Sequence, residues 1–96
     1  DVLKLISSHK KRPKLIIGFS AETSNVLVNS KVKLKEKNCD WMLANKVSDK
    51  IGFRSDKNKI FFINSGKTIE WPLMKKKLIV KKLSKKIVSF FKNNKL

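Results

Sequence analysis

Apolar residues fall in short clusters along the chain, and the spacing within each cluster predicts its element. Leu3 and Leu5-Ile6 predict the end of a helix over residues 3–9. Pro13, after the basic turn His9-Lys10-Lys11-Arg12, forbids its continuation. Lys14 to Phe19 is almost purely apolar in its middle, as expected of a parallel strand covered on both faces. The run then passes into small and hydroxyl residues. Thr23 or Ser24 is the expected cap of a helix from about Ser24 to Lys37, and Glu22 suits that helix's positive end. Val26-Leu27, Ser30 and Leu34 form its inward stripe, and Asn38 is its expected stop. Trp41 to Ala44 predicts a second short buried strand ending at Asn45.

Val47 to Lys59 is polar and turn-rich and reads as a loop. Ile60–Ile63 and Thr68–Trp71 are two strands, and Asn64-Ser65-Gly66-Lys67 between them is a hairpin signal. Pro72 is placed to open a final helix. In that helix Val80, Leu83, Ile87, Phe90 and Phe91 recur at helical spacing, with lysines on the other side. Strand, helix, strand, hairpin, helix predicts an α/β fold with a parallel part and an antiparallel appendage. A strand that hands over to a helix is where open α/β sheets bind ligands, so the neighbourhood of Gly18 and Phe19 is the first candidate site.

Composition narrows the reading. Ninety-six residues, 41% of them hydrophobic, are enough for one domain or part of one. No apolar run approaches the roughly 18–20 residues of a membrane span. The start, Asp1-Val2-Leu3-Lys4, resembles neither a secretion signal nor a transit peptide, and it reads as a cut inside a longer protein. Cys39 is the single cysteine, which excludes an internal disulfide and fits a reducing cytoplasm.

The net charge is +17, from 24 basic and 7 acidic residues. Such a charge suits a nucleic-acid binder or an anionic membrane surface. However, only Arg12 and Arg54 are arginines, the residue that base reading and bidentate phosphate gripping favour. The lysines also spread from Lys4 to Lys95 rather than forming one stripe. A solvated basic surface is the better reading, with a small nucleic-acid-binding module as the alternative. The basic final helix is expected on a sheet rather than on a membrane. His9 lies in a basic surface turn, and Cys39 lacks a partner base, so neither is a nucleophile or base candidate. The Gly52 to Asn58 loop lacks the acidic cluster of a calcium site.

Several strings then match one family in order and at the right spacing. Gly18-Phe19-Ser20-Ala21-Glu22-Thr23 resembles the G-F-A-A-E-T segment of phosphopantothenate–cysteine ligase. In many bacteria that ligase is the carboxyl-terminal half of a bifunctional coenzyme A biosynthesis protein, fused behind a flavin-dependent decarboxylase. Asp1-Val2-Leu3 resembles the end of P-D-I-L/V, and Asp40-Trp41-Met42-Leu43-Ala44-Asn45 resembles D-L-I-x-A-N. Gly52-Phe53, Ser55-Asp56 and Asn58 resemble G-F-x-S-D-x-N, and Trp71-Pro72-Leu73-Met74 a final L-P-L. Ser20 departs from the family's alanine, and Lys46 stands where aspartate is usual.

The resemblance implies a Rossmann-like α/β fragment, a partial parallel sheet flanked by helices with a carboxyl-terminal antiparallel hairpin. Residues 1–96 would be the carboxyl-terminal fragment of a ligase domain. It implies CTP and Mg2+ at the site, with FMN only in a fused decarboxylase half, and 4'-phosphopantothenate and L-cysteine as co-substrates. Asp1, Val2, Leu3, Phe19, Lys33 and Lys37 fall at nucleotide-binding positions, and Asn45 is a possible substrate-side residue. The family's catalytic flap lysine and glycine-rich segment are not among these 96 residues, so the fragment alone is expected to be inactive. A homodimer or higher oligomer in the cytoplasm, with the hairpin near the dimer contact, completes the expectation. The 96 residues by themselves leave CTP against ATP open.

Overall fold

A computed structural model describes residues 1–47 and 57–93, and among these described residues there are six strands and three helices. In order they are α1 (Val2–Ser7), β1 (Ile17–Glu22), α2 (Val26–Glu36), β2 (Trp41–Lys46), β3 (Lys57–Asn58), β4 (Ile60–Asn64), β5 (Lys67–Glu70), β6 (Met74–Lys75) and α3 (Lys76–Asn93). The main sheet has strand order β1-β2-β4-β5, and β3 pairs with β6 in a small second sheet. β1 and β2 are parallel, with Ile17 opposite Trp41 and Glu22 opposite Lys46. β4 and β5 extend the sheet antiparallel through the hairpin turn at Ser65-Gly66. The α/β class, the parallel pair and the hairpin are therefore as the hydrophobic pattern predicts.

Strand parity divides the core. Met42, Ala44 and Ile63 point to the α2 side and pack with Val26 and Leu34. Leu43, Ile60, Phe62 and Trp71 point to the other side, where Ile79 and Leu83 of α3 pack on them. Trp41 meets Phe62 and Phe90 edge-on, at centroid distances of 5.0 and 5.7 Å. β2 runs between two covered faces, so Met42, Leu43 and Ala44 are all buried in succession. Each of the larger two contributes about 1.5–3 kcal/mol by leaving water. None of the 18 residues of α3 is fully buried. Lys82 and Lys86 instead lay their ammonium groups over the rings of Trp71 and Phe62.

Several boundaries differ from the sequence expectation, each for a local reason. The first helix spans Val2–Ser7, and Asp1 Oδ1 accepts from the Leu3 N–H at 3.0 Å. β1 starts at Ile17 rather than Lys14 and runs past Phe19, since its pairing with β2 carries it to Glu22. Gly18 has no positive φ. A Cβ there would lie 2.8 Å from Met42 Cε and 3.1 Å from Cys39 Sγ, so this glycine admits the close approach of helix end and sheet. α2 is entered through Asn25 in the left-handed region (φ 47°), without a side-chain cap, rather than through Thr23 or Ser24. Glu22 therefore ends a strand and does not sit on the helix's positive end. Leu27 lies outside the inward stripe and is partly exposed.

Asn38 does stop α2. At φ 51° it takes the left-handed position of a Schellman closure, with Cys39 N–H on Leu34 O and Asn38 N–H on Lys35 O, both at 3.1 Å. The last helix opens at Lys76 and not at Pro72, because Met74-Lys75 first pair with Lys57-Asn58. The first of them, Lys57–Asn58, falls in what reads as loop from Val47 to Lys59. The Gly52-Phe53 and Ser55-Asp56 part of that loop lies outside the described residues.

Candidate functional site

The two flanks of α2 carry different chemistry. Val26, Ser30 and Leu34 face the sheet and are buried. Lys31 and Lys35 lie on the flank toward the hairpin, lining a cleft of about 730 Å³ with Leu34, Cys39 and Lys67. Lys33 and Lys37 lie on the opposite flank, and each meets a carboxylate. Lys33 Nζ donates to Glu22 Oε2 at 2.5 Å, and Lys37 Nζ donates to Asp1 Oδ2 at 2.6 Å. These four lysines thus do not form one solvated face.

Glu22 is the centre of this arrangement. β1 alternates, so Gly18, Ser20 and Glu22 face α2. Ser30 Oγ, fully buried, donates to Ser20 Oγ at 3.3 Å, and Ser20 Oγ donates to Glu22 Oε2 at 2.6 Å. The bonds from Lys33 and then Ser20 hold the Glu22 carboxyl below the usual glutamate range, against the opposing effect of burial. The carboxylate is sealed beneath, at 9% side-chain exposure, while the Lys33 side chain is 41% exposed.

Asp1 and Lys37 come together at the other end of the same flank. α1 is docked there by Ser7 Oγ donating to Lys37 O and by Asn38 Nδ2 donating to Ser7 O. Arg12 reinforces the junction: its guanidinium donates to Ser7 O, Asn38 O and Asp40 Oδ2, each at 3.1 Å. Asp40 Oδ2 also accepts from the Ile16 N–H at 2.8 Å, which ties the entry of β1 to that of β2. Val2 is well exposed, whereas the Leu3 N–H is already taken by its own cap.

Phe19 lies elsewhere. Parity puts it with Ile17 and Leu43 on the α3 side of the sheet, at 71% exposure. The structure does not bring it beside Lys33 or Lys37, which sit on the α2 side. A ligand touching all three has to wrap around β1. Asn45, near the end of β2, donates from Nδ2 to Asn58 Oδ1 at 3.3 Å. Its Oδ1 and the Nδ2 of Asn58 are buried without partners, so this amide pair is only half satisfied. Lys46 ends β2 beside Thr23-Ser24-Asn25 in a shallow cleft of about 500 Å³ at the carboxyl ends of the parallel strands.

Cys39 stays a thiol at neutral pH, because burial, with Asp40 beside it, pushes its pKa up. Among the described residues no group of three His, Cys, Asp or Glu could hold a metal ion, and no helix is long and apolar enough to cross a membrane. Sequence reasoning missed Glu22 and Ser30 as parts of the site. The available signal was the alternation Gly18, Ser20, Glu22, which places a carboxylate on the same side as the helix that follows.

A parallel strand–helix–strand unit, extended by an antiparallel hairpin and with paired charges along one helix flank, defines an α/β domain of Rossmann-like build. The chain belongs to the DNA/pantothenate metabolism flavoprotein C-terminal domain family, whose model matches residues 1–91. It is 36% identical over 86 residues to the coenzyme A biosynthesis bifunctional protein CoaBC of Borreliella burgdorferi, covering 88% of this chain and 21% of that protein. It is 36% identical over 78 residues to the CoaBC of Bacillus subtilis, covering 79% and 19%. The crystal structure of the C-terminal domain of a CoaBC superposes with a TM-score of 0.76 at 33% identity, over 98% of this chain and 43% of that one. The chain thus spans about a fifth of the length of the curated relatives it matches.

Proposed function

We propose that this chain is the carboxyl-terminal part of a phosphopantothenate–cysteine ligase, and that the Lys33/Lys37 flank of α2 contributes to its CTP site. Family membership supports the reading, as does the name the CoaBC relatives carry. The observation that carries it is the segregation of Lys33 and Lys37 onto one flank, each oriented by its own carboxylate. Like charges one turn apart on a helix repel by a few tenths of a kcal/mol. A polyphosphate lying along them turns that cost into affinity.

The reaction has two steps. The carboxylate of 4'-phosphopantothenate attacks the α-phosphate of CTP, giving an acyl-cytidylate and releasing pyrophosphate. The amine of L-cysteine then attacks the activated carbonyl and expels CMP. This chain's share is charge neutralisation and positioning, because a carboxylate approaching a triphosphate is strongly repelled. Lys33 and Lys37 supply ammonium groups, the backbone at Asp1 to Leu3 and the ring of Phe19 flank the nucleotide, and Asn45 is a substrate-side amide. On this reading magnesium enters with the phosphates of CTP. A homodimer through the hairpin belongs to the same reading.

The test uses the intact ligase. CTP with magnesium should raise its melting temperature, and Lys37→Ala should raise the KM for CTP by about tenfold, the effect of losing one charged contact. An intact protein that neither forms 4'-phosphopantothenoylcysteine nor gains thermal stability from CTP would refute the assignment.

A further inference from the structure

We propose that Glu22 is the positioning residue for Lys33, and that the buried Ser30–Ser20 hydroxyl pair holds Glu22 in the geometry this requires. The inference rests on the nucleotide reading above and adds to it a residue with no direct ligand contact. Lys33 is a long side chain with four rotatable bonds, reaching from α2 to the last residue of β1. A lysine so placed ordinarily samples many rotamers, and a ligand must order it on binding. Here its ammonium is already fixed by a 2.5 Å bond to Glu22 Oε2. An ammonium has three N–H donors. One goes to Glu22, and the other two can meet an anion from the exposed side.

The carboxylate is itself constrained. Ser20 Oγ donates to the same Oε2 at 2.6 Å, and Ser30 Oγ donates to Ser20 Oγ from the buried face of α2. Ser20 of β1 and Lys33 of α2 therefore converge on one oxygen, with Ser30 bonded behind Ser20. Ser20 stands where the ligase motif it resembles has alanine, and in this chain it adds a hydrogen bond to the support of Glu22.

Two opposite consequences follow from a carboxylate beside a phosphate site, and they separate by sign. If Glu22 orients Lys33, removing its charge weakens nucleotide binding, because the ammonium loses its fixed place. If Glu22 merely competes with the ligand for Lys33, removing its charge tightens binding.

Steady-state kinetics of the intact ligase, with CTP and magnesium varied, distinguishes the two. Glu22→Gln is expected to raise the KM for CTP up to about tenfold, the scale of ordering one long side chain, with kcat within twofold. Lys33→Ala should raise KM at least as much, and the double variant should be no worse than Lys33→Ala alone. An unchanged or lowered KM in Glu22→Gln, with a raised KM in Lys33→Ala, would overturn the positioning role and leave the nucleotide site standing. An unchanged KM in Lys33→Ala would instead remove Lys33 from the nucleotide site. Should Glu22→Gln fail to fold, Ser20→Ala gives the milder perturbation, with an expected KM increase of about threefold. No increase there would overturn the role of the hydroxyl pair.

Discussion

Replacing Gly18 with alanine tests how closely α2's end and the sheet approach one another. The added methyl would sit 2.8 Å from Met42 Cε and 3.1 Å from both Met42 Sδ and Cys39 Sγ. Ordinary carbon contacts are about 3.5–4.0 Å, so Met42 must leave its place. It is 1% exposed and packed with Val26, Leu34 and Ile63, which limits where it can go. Overpacking of this kind costs about 1–3 kcal/mol. Alanine also stiffens the unfolded chain, which returns about 0.4–1 kcal/mol. The expected net loss is about 1–2 kcal/mol, a fall in melting temperature on the order of 5–15 °C for a domain of this size. Urea denaturation followed by tryptophan fluorescence measures it. Met42→Ala alone opens a cavity, but combined with Gly18→Ala it vacates the space the methyl needs. The double variant should therefore be more stable than the sum of the singles by about 1 kcal/mol. Strict additivity, or a Gly18→Ala protein as stable as its parent, would refute the close-contact explanation.

The lowered pKa of Glu22 means that the unfolded chain binds more protons than the folded one as pH falls through the glutamate range. Its contribution is therefore complete above the ordinary glutamate pKa and is lost as pH drops through the folded value; Glu22→Gln should flatten that part of a denaturation-midpoint profile between pH 6 and 3. Asp40→Ala strands the Ile16 N–H and takes one of three acceptors from the Arg12 guanidinium, and calorimetry should find a loss of about 1–3 kcal/mol. Asp40→Asn, which keeps an acceptor for Ile16, should lose clearly less. Phe62→Ala should cost about 3–5 kcal/mol, whereas exposed Phe19→Ala should change stability by no more than about 0.5 kcal/mol. Equal losses in chemical denaturation would contradict the assignment of the two rings to a core and a surface.

What was legible in the sequence follows from range. β2, β4 and the hairpin are dense apolar runs bounded by turn residues, and the stop at Asn38 needs only a residue that tolerates a left-handed backbone. The pattern ends β1 at Phe19 because Ser20 and Ala21 are poor strand formers taken alone; pairing with β2 overrides that. β3 and β6 are two residues each and exist only through each other, so no local pattern announces them. The spacing of Lys33 and Lys37 was readable as one helical turn, and the flank they share is seen. The carboxylates they meet are 11 and 36 residues distant, and no helical or strand period reaches so far. The face occupied by Phe19 depends on register with β2, which one strand cannot reveal.

The sheet is thus clad unequally. On one side α2 sinks buried side chains into it, while on the other an 18-residue helix without a fully buried residue of its own lies over the rings of Phe62 and Trp71. Such a helix is expected to detach at a lower free energy than the rest of the domain comes apart. Hydrogen exchange along α3 would then run ahead of exchange in β2. The lysine-rich side of the molecule would spend part of its time open while the Glu22–Lys33 side stayed closed.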